Sequence, residues 1–332
     1  MTRTPPVPTA AQGLLARTGW AGAFAARLAA DASARSYLRL SRATGETAIL
    51  MQAPVTTPAE QDSVFAFLRV GAHLAALGHS VPEVIGADLP GGLVLMEDFG
   101  DATLARLVAT DPATARIAYA EAVTAMLPQL AAAPVPDWVA HPDATAQAGM
   151  IDLTLGLLPD PAAPKELAGL IAAALATHCA GPPVLALRDC HGDNLIRLPD
   201  RGGAARIGLL DFQDAVALPL GYDLASLLDD PRRDLPEGWR AELTARFAAE
   251  TGQPLPEMEA RLATLSLLRN LRILGIFHRL ATQQGKPQYR AFVPRTGRLI
   301  DRAVAHPALA ELRAPVAHLR RLTAPWADGV PA

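Results

Sequence analysis

The sequence contains few cysteines, few lysines and little net charge. Its two cysteines, Cys179 and Cys190, are too few for a disulfide framework, so we expect a protein of the reducing cytoplasm. The formal net charge of −3 over 332 residues argues against binding to nucleic acid or to a membrane surface through bulk charge. Lys165 and Lys286 are the only lysines, and the N-terminal lobe predicted below therefore contains none.

The sequence also lacks a membrane-length apolar run and a recognisable metal-binding pattern. No uninterrupted hydrophobic stretch reaches the roughly 20 residues of a spanning helix. The apolar stretch at 19–26 is too short for a signal peptide and is soon followed by a charge. The pairs His178-Cys179 and Cys190-His191 do not have the spacing of a zinc site. We therefore expect neither a membrane anchor nor zinc, and the sequence predicts no particular protein partner.

The sharpest pattern lies past the middle of the chain, where two short apolar strands are each followed by a carboxylate. The strands are predicted over 184–187 and 207–210. Asp189 follows the first strand, Asn194 lies five residues beyond it, and Asp211 follows the second strand. Kinases hold the acceptor hydroxyl and Mg²⁺ with an Asp, an Asn and an Asp delivered in this order. The spacing therefore predicts phosphoryl transfer.

The three side chains suit separate parts of that chemistry. Mg²⁺ prefers oxygen ligands, which the Asp211 carboxylate and the Asn194 amide carbonyl supply. Asp189 is expected to orient the acceptor hydroxyl and to take its proton. If the kinase motif were instead aligned with Asp193 in the place of Asp189, Leu198 would stand where the metal-binding Asn belongs. We therefore reject that alignment. Any one of these residues would fit an ordinary turn at a strand end, but three at this spacing outweigh that interpretation.

The pattern continues with GYDLASLL at residues 221–228, and the whole stretch resembles the catalytic and metal loops of the aminoglycoside phosphotransferase-like kinases. The resemblance implies an α+β, protein-kinase-like two-lobed fold, with a small β-rich N-terminal lobe and a large helical C-terminal lobe. We predict a disordered tail at 1–9, a nucleotide-binding lobe at 10–98 and a helical lobe at 99–332. Asp223 matches an Asp that begins a helix, and we predict a helix cap there rather than a catalytic residue.

The predicted nucleotide site begins with a hairpin whose leading turn consists of small residues. Asp31, Ser33 and the neighbouring backbone N–H groups are candidates for contact with the phosphates of ATP. An ordinary hairpin explains these residues equally well. The second strand ends in Gln52, where kinases usually carry a lysine. Either Arg35 or Arg39 supplies the missing charge, or Mg²⁺ carries more of it, or the protein is catalytically inactive.

Residues 96–100, with the sequence MEDFG, resemble the connector between the two lobes of a kinase. The resemblance implies nucleotide contacts from Met96, Glu97 and Phe99. The connector backbone would hydrogen-bond the adenine edge, while Leu95 and Met96 would wall the ring. A charged turn leaving a sheet edge would give a similar pattern, and that alternative stays open.

The longest similarity to a named family continues through the segment LRNLRILGIFHRLATQQGKPQYRAFVPR at 268–295. With the ADAS turn and the LLDFQDA stretch, it resembles the bacterial anomeric amino-sugar kinases, which phosphorylate N-acetylmuramate and N-acetylglucosamine at C1. We name Arg269, Asn270 and Arg272 as candidate sugar contacts, because a muramate carboxylate favours an arginine partner. For each residue alone, a role in satisfying loop backbone or nearby acids is the simpler interpretation.

The sequence thus predicts a cytoplasmic kinase that uses ATP and Mg²⁺ and acts on a small-molecule amino sugar. Two alternatives stay open. The acceptor could be an aminoglycoside or another small alcohol, although the basic helix predicted at 262–280 does not suit a polycationic drug. The protein could also be a nucleotide-binding regulator without catalysis, which the missing lysine permits.

Overall fold

The computed structural model describes residues 8–28, 34–158 and 165–328 of the chain. By packing, the chain forms two compact units. Unit 1 consists of residues 1–103 and 194–214, and unit 2 consists of residues 104–193 and 215–332. All but two residues of the predicted tail lie outside the described residues, and the functional boundary predicted after residue 98 stays a prediction.

Strands and helices are numbered here in chain order. The strands are β1 (Phe24–Arg27), β2 (Ser36–Ser41), β3 (Thr47–Gln52), β4 (Val84–Asp88), β5 (Leu93–Glu97), β6 (Val184–Ala186), β7 (Leu195–Arg197), β8 (Ile207–Leu209) and β9 (Val216–Leu218). The α-helices are α1 (Gln12–Arg17), α2 (Pro58–Ala76), α3 (Leu104–Thr110), α4 (Pro112–Glu121), α5 (Leu127–Ala132), α6 (Ala144–Ala148), α7 (Asp152–Gly156), α8 (Lys165–His178), α9 (Tyr222–Leu228), α10 (Trp239–Glu250), α11 (Leu255–Gln283), α12 (Val293–Val304) and α13 (Arg313–Thr323).

Unit 1 is built on a five-stranded antiparallel sheet with the strand order β1-β2-β3-β5-β4. Side chains alternate between the two faces of a strand, so residues two apart in β2 and in β3 share a face. The register pairs Leu38 with Leu50 and Leu40 with Ala48, and all four are buried. They form one core cluster with residues of α1, the following turn, β1 and β5, namely Ala11, Leu14, Leu15, Trp20, Ala25, Leu93 and Leu95.

Helix α2 begins at a capping box and packs its apolar face inside unit 1. The Thr57 side chain accepts a hydrogen bond from the Glu60 N–H (3.3 Å), and the Glu60 carboxylate accepts one from the Thr57 N–H (2.9 Å). The buried face presents Phe67, whose ring stacks on Phe212 with centroids 5.0 Å apart. One turn along the helix, Gly71 faces the same Phe212 ring.

The hairpin formed by β7 and β8 also belongs to unit 1. Its position is fixed through Ser80, whose carbonyl accepts a hydrogen bond from the Leu209 N–H (2.8 Å) and whose hydroxyl donates to the Ala205 carbonyl (2.6 Å). The two strands predicted from the sequence correspond to β6 and β8. Neither pairs with the other, because β6 pairs with β9 and β8 pairs with β7.

Unit 2 is largely helical, and the long α11 runs through it with most of its side chains buried. Helix α7 approaches α11 closely at Gly275, where an added Cβ would lie 2.4 Å from Thr154 Oγ1. That hydroxyl donates to the Leu271 carbonyl (2.6 Å) and accepts the Gly275 N–H (3.1 Å), so the close approach is satisfied by hydrogen bonds. None of the described helices combines the length and hydrophobicity needed to cross a bilayer.

One predicted helix is interrupted in the structure. The sequence predicts a single helix over 113–132, but Ala122–Met126 is a π-helical segment between α4 and α5. Pro128 explains the change, because proline has no N–H to donate to the Thr124 carbonyl and its ring clashes with a carbonyl at that position. The wider turn accommodates this missing hydrogen bond.

The contact between Gly71 and Phe212 gives a stability test. A Cβ at Gly71 would lie 3.2 Å from the Phe212 ring, so the branched side chain of Gly71→Val must displace that ring. We expect the variant to lose about 1–3 kcal/mol of unfolding free energy in urea denaturation. Gly169→Val is the matched control, because Gly169 is a helical glycine with no atom within 4 Å of an added Cβ. Equal effects of the two substitutions would contradict the packing argument.

Candidate active site

In unit 1, the β7–β8 hairpin brings the two predicted metal ligands to one of its ends. Leu195 pairs with Leu209, and the Asn194 carbonyl accepts a hydrogen bond from the Leu210 N–H at 2.9 Å. Asn194 therefore lies opposite Leu210, beside the following residue Asp211. Asp211 is exposed and has a φ of 55°, an uncommon conformation for a residue with a side chain. An amide oxygen and an exposed carboxylate at one hairpin end are a donor set that fits Mg²⁺.

A chain of hydrogen bonds runs from a buried arginine to Asp211. Gln213 donates through its side-chain amide to Asp211 Oδ1 (2.9 Å) and accepts from the Arg35 guanidinium (2.8 Å). Arg35 is only 8% exposed and also donates to Ser63 Oγ on α2 (2.7 Å). Arg35, which directly precedes β2, thus connects α2 to the predicted metal loop. Gln213 was not predicted from the sequence, although it lies two residues after Asp211 in the LLDFQDA stretch.

Tyr37 is a second residue of this group that the sequence analysis missed. Burial raises the pKa of its hydroxyl, the nearby Arg35 opposes that rise, and the Asp211 charge adds to it. Tyr37 is the second residue of β2 and lies two residues after Arg35. This spacing is the signal that could have found it.

The two arginines proposed to replace the missing lysine differ in their partners. Arg39 forms ion pairs with Asp98 (2.6 Å) and Asp101 (2.9 Å), beside the connector. Arg35, in contrast, contacts the metal loop through Gln213. Of the two, only Arg35 is seen among the described residues to contact the predicted metal loop, and its role as the replacement charge stays a prediction.

The predicted phosphate-binding turn, with Asp31 and Ser33, lies outside the described residues, and its role stays a prediction. The structure describes the connector between the predicted lobes. Met96 is buried in β5, and the Glu97 N–H donates to the Glu83 carbonyl at 2.8 Å. The contact of Met96 and Glu97 with adenine stays a prediction.

Two connector side chains contact the segment between β7 and β8. The Glu97 carboxylate pairs with the Arg201 guanidinium, which also lies 5.0 Å from the centroid of the Phe99 ring. The Phe99 ring covers Gly208 so closely that an added Cβ there would lie 2.7 Å from it. Glu97 and Phe99 therefore help to fix the metal-loop hairpin, and their predicted nucleotide contacts stay predictions.

In unit 2, a buried carboxylate holds the backbone that precedes Asp189. The two side-chain oxygens of Asp223 accept hydrogen bonds from the Leu187 N–H (2.7 Å) and the Arg188 N–H (3.0 Å). Arg188 has a φ of 72°, so this clamp holds an otherwise unfavourable backbone conformation. The predicted helix cap at Asp223 is wrong, because the N-cap of α9 is Gly221 and the Asp223 carboxylate points to the loop instead.

The environment of Asp223 makes it a titratable group near neutral pH. Burial raises the pKa of its carboxyl to about 7, while the hydrogen bonds from the Leu187 and Arg188 N–H groups oppose that rise. The charge of Asp189 raises the pKa further, and Arg269 lowers it. Asp223 is 6% exposed, so water contributes little screening.

Asp189 itself lies in a tight sequence of turns. Its N–H donates to the Leu187 carbonyl and its own carbonyl accepts the His191 N–H, both at 2.9 Å. The residue is half-buried, which leaves part of its side chain open to solvent. This geometry suits a carboxylate that must meet a substrate hydroxyl, and its role as the base stays a prediction.

Near this loop lies a group of three side chains that could hold a metal ion, namely His191, Asp193 and Asp230. Their ligand atoms all lie within 4.8 Å of one another. Two ion pairs argue against a metal there, because Arg233 binds the Asp193 carboxylate at 2.5 Å and the Asp230 carboxylate at 2.6 Å. Burial lowers the pKa of His191 to about 4, so the imidazole is neutral at pH 7. The cluster therefore braces the end of the catalytic loop.

The three candidate sugar contacts on α11 have different environments. Arg269 is 2% exposed, and Asn270 is fully buried and donates to the carbonyls of Ser266 (3.0 Å) and Asp229 (3.4 Å). Arg272 is only half-buried. Burial of Arg269 and Asn270 favours a role in supporting the loop, and the contact of all three residues with substrate stays a prediction.

Comparison with known proteins identifies the family that has these loops. The sequence matches the phosphotransferase enzyme family over residues 25–265, which is most of the chain. The chain belongs to this family. The predicted phosphotransferase activity class is confirmed, and membership implies that the protein uses a nucleotide.

Curated relatives narrow the similarity to one group of kinases. The N-acetylmuramate/N-acetylglucosamine kinase of Caulobacter vibrioides is 34% identical, over 95% of this chain and 97% of its own length. The Pseudomonas putida protein of the same name is 30% identical, over 87% of this chain and 86% of its own length. The resemblance to amino-sugar kinases inferred from the sequence is confirmed.

A solved structure supports the fold assignment. The GDP complex of aminoglycoside 2'-phosphotransferase-IIIa matches with a TM-score of 0.60, over 85% of this chain and 92% of that chain, at 14% sequence identity. At this identity the match shows the fold alone. The predicted α+β, kinase-like class is confirmed, with an N-terminal five-stranded antiparallel sheet followed by a largely helical C-terminal part.

Substitution of Asp223 by asparagine tests the clamp through the pH dependence of stability. The pKa of about 7 in the folded protein lies above the value of about 3.9 expected for an unfolded Asp, so wild type loses stability as the pH rises between these values. Asn does not titrate. We expect the unfolding free energy of wild type, relative to Asp223→Asn, to fall between pH 5 and pH 7 by at most about 1.4 kcal/mol per pH unit.

Urea denaturation of both proteins across this range measures the difference. Any loss of hydrogen bonds in Asp223→Asn offsets the two curves equally at every pH, so only their relative slope reports the titration. Parallel curves, or a relative gain by wild type with rising pH, would contradict the raised pKa.

Proposed function

We propose that the protein is an ATP- and Mg²⁺-dependent kinase that phosphorylates the C1 hydroxyl of N-acetylmuramate and N-acetylglucosamine. The observation that carries the proposal is the 34% identity to a kinase of that name across 97% of its length. The Asp189, Asn194 and Asp211 pattern supplies the side chains that the reaction requires. A kinase of cell-wall sugars with free cysteines and ATP as donor belongs in the cytoplasm, which we propose as its location.

Asp189 acts as the base in this proposal. It accepts a hydrogen bond from the C1 hydroxyl and takes its proton as the oxygen attacks the γ-phosphorus of ATP. A new bond forms between the C1 oxygen and the γ-phosphorus, while the bond from the γ-phosphorus to the bridging oxygen of ATP breaks. The products are ADP and a sugar 1-phosphate. The hydroxyl of a hemiacetal is more acidic than that of an ordinary alcohol, so one carboxylate suffices.

Asn194 and Asp211 hold Mg²⁺ in this proposal. When bound, the ion neutralises phosphate charge and aligns the donor. Gln213 supports this site by donating a hydrogen bond to Asp211 Oδ1, which orients the carboxylate. The exposed position of Asp211 at the hairpin end also allows access.

Arg35 replaces the missing strand lysine in this proposal. A buried guanidinium that is hydrogen-bonded to Gln213 places a fixed positive charge next to the metal loop. We assign it two effects, attraction of the ATP phosphates and positioning of Gln213. Asp31 and Ser33 are proposed as further phosphate contacts, and Met96, Glu97 and Phe99 as the adenine side of the site. Arginine presents a planar set of donors that suits phosphate oxygens.

The direct test incubates purified protein with Mg·ATP and a panel of N-acetyl hexosamines, with aminoglycosides as comparison acceptors. ³¹P NMR should detect a sugar 1-phosphate with N-acetylmuramate and N-acetylglucosamine. Phosphorylation of aminoglycosides alone would replace the proposal with a drug kinase. ATP binding in a thermal-shift titration, without turnover of any acceptor, would indicate a nucleotide-binding regulator.

Asp189→Asn tests the base. The amide keeps the size of the side chain but cannot take a proton, so we expect kcat to fall by roughly 10²-fold or more. Retained Mg·ATP binding and an unchanged melting temperature serve as controls for folding. Near-wild-type turnover would show that the base lies elsewhere.

Arg35→Met tests the replacement charge. A hydrogen bond that involves a charged group contributes about 1.5–3 kcal/mol, so its loss should raise the KM for Mg·ATP by about 10-fold or more. Arg39→Met is the matched control, because Arg39 lies on β2, which begins directly after Arg35, but pairs with Asp98 and Asp101. A larger rise in KM for the control than for Arg35→Met would assign the role to Arg39.

A further inference from the structure

Two arginines lie beside Asp189 on different parts of unit 2. Arg188 precedes Asp189 directly in the loop, and Arg272 lies on α11. The charges of Arg188 and Asp189 both act on the pKa values of Arg272 and of the Tyr222 hydroxyl, so the four side chains lie near one another. Tyr222 is the first residue of α9, the helix whose Asp223 clamps the loop. One cluster therefore combines the predicted base with two cations and a phenol.

The two arginines and the phenol of this cluster lack the partners that other arginines of unit 2 have among the described residues. Within the described part of the chain, neither Arg188 nor Arg272 has a carboxylate at ion-pair distance. The buried Nε of Arg188 and the Tyr222 hydroxyl have no hydrogen-bond partner among the described residues. In contrast, Arg233 pairs with the buried Asp230 at 2.6 Å, and Arg240 pairs with the buried Asp229 at 2.8 Å. Polar groups buried without partners are costly unless a ligand satisfies them.

The charges around the cluster also favour an anion. Arg269 adds a third cation, which is buried and lies one helical turn from Arg272. Of the neighbouring carboxylates, Asp230 is neutralised by Arg232 and Arg233. Burial lowers the pKa of Arg272; Arg188 and Arg269 lower it further, as expected for cations that repel each other, while Tyr222 and Asp189 oppose the shift. A negatively charged group would relieve this repulsion.

We propose that Arg188 and Arg272 bind the carboxylate of a sugar acid, and that this pair gives the kinase its preference for N-acetylmuramate over N-acetylglucosamine. The inference rests on the proposed function and adds to it the residues that select the substrate. The lactyl carboxylate of muramate is attached through C3 of the same ring whose C1 hydroxyl must reach Asp189. Cations next to the base are therefore in the region where that carboxylate must lie.

The test compares kcat/KM for the two sugars, measured on the full-length protein. Arg272→Gln should lower the ratio of kcat/KM for N-acetylmuramate to that for N-acetylglucosamine by about 10- to 100-fold, the scale of one charged hydrogen bond. Arg272→Lys should recover part of the ratio, because it restores the charge. Arg261→Gln is the matched control, since Arg261 lies on the same helix and donates to the Ala180 carbonyl; its ratio should equal that of wild type.

A substrate-side experiment keeps the proposal testable even where a variant folds poorly. Wild type should discriminate against the methyl ester of N-acetylmuramate, which lacks the charge, by a similar factor. Arg272→Gln and Arg188→Gln should discriminate against the ester much less, because the carboxylate has already lost a partner.

The outcomes separate this inference from the proposed function. Equal losses on both sugars, or a rise only in the KM for ATP, would overturn the carboxylate site and assign the arginines to the base or to the phosphates. Undiminished turnover of the methyl ester by wild type would overturn it as well. Failure of wild type to phosphorylate either sugar would instead refute the proposed function, and the inference would fall with it.

Discussion

The buried Asp223 carboxylate determines the backbone of the predicted catalytic loop. It accepts hydrogen bonds from the N–H groups of the two residues that precede Asp189, and it belongs to a short helix that is buried throughout. Burying a carboxylate is unfavourable, and the raised pKa expresses that cost. The hydrogen bonds from the two backbone N–H groups offset part of that cost. The same hydrogen bonds hold Arg188 at a positive φ. Without the clamp, the loop could relax to a commoner conformation and turn Asp189 away.

The predicted metal loop in unit 1 also combines an unfavourable backbone conformation with contacts that hold it. Among the described residues other than glycine, Arg188 and Asp211 are the ones with positive φ, and each lies in one of the two predicted functional loops. Such conformations persist only where the surroundings enforce them, at a cost of about 1–3 kcal/mol each. At Asp211 the enforcing contacts are the Gln213 amide and the packing of Phe212 between Phe67 and Gly71. Strain and support thus occur together in both loops.

Sequence reasoning located most elements and the family, because hydrophobic periodicity and motif spacing are local signals. It placed β6 and β8 within one residue of their observed bounds. It did not find β7 and β9, which are three residues long and become strands only through pairing with β8 and β6. It missed Gln213 and Tyr37 for a similar reason, since their importance comes from the partners that folding brings to them. It misjudged Asp223 because a carboxylate near a helix start has the same local pattern whether it caps the helix or clamps a loop.

The basic residues of α11 show how one helical turn separates two roles. Periodicity predicted an apolar helix whose polar side chains need partners, but it could not say which partners. Arg269 and Asn270 are buried, and Asn270 is held by carbonyls of α11 and of the segment after α9. Arg272 lies one turn further, half-buried, with a cation and the predicted base as neighbours. In the proposed site, the helix that buries Arg269 also carries Arg272 beside Asp189. Because both residues belong to one rigid helix, the proposed selecting charge would keep a fixed position relative to the predicted base.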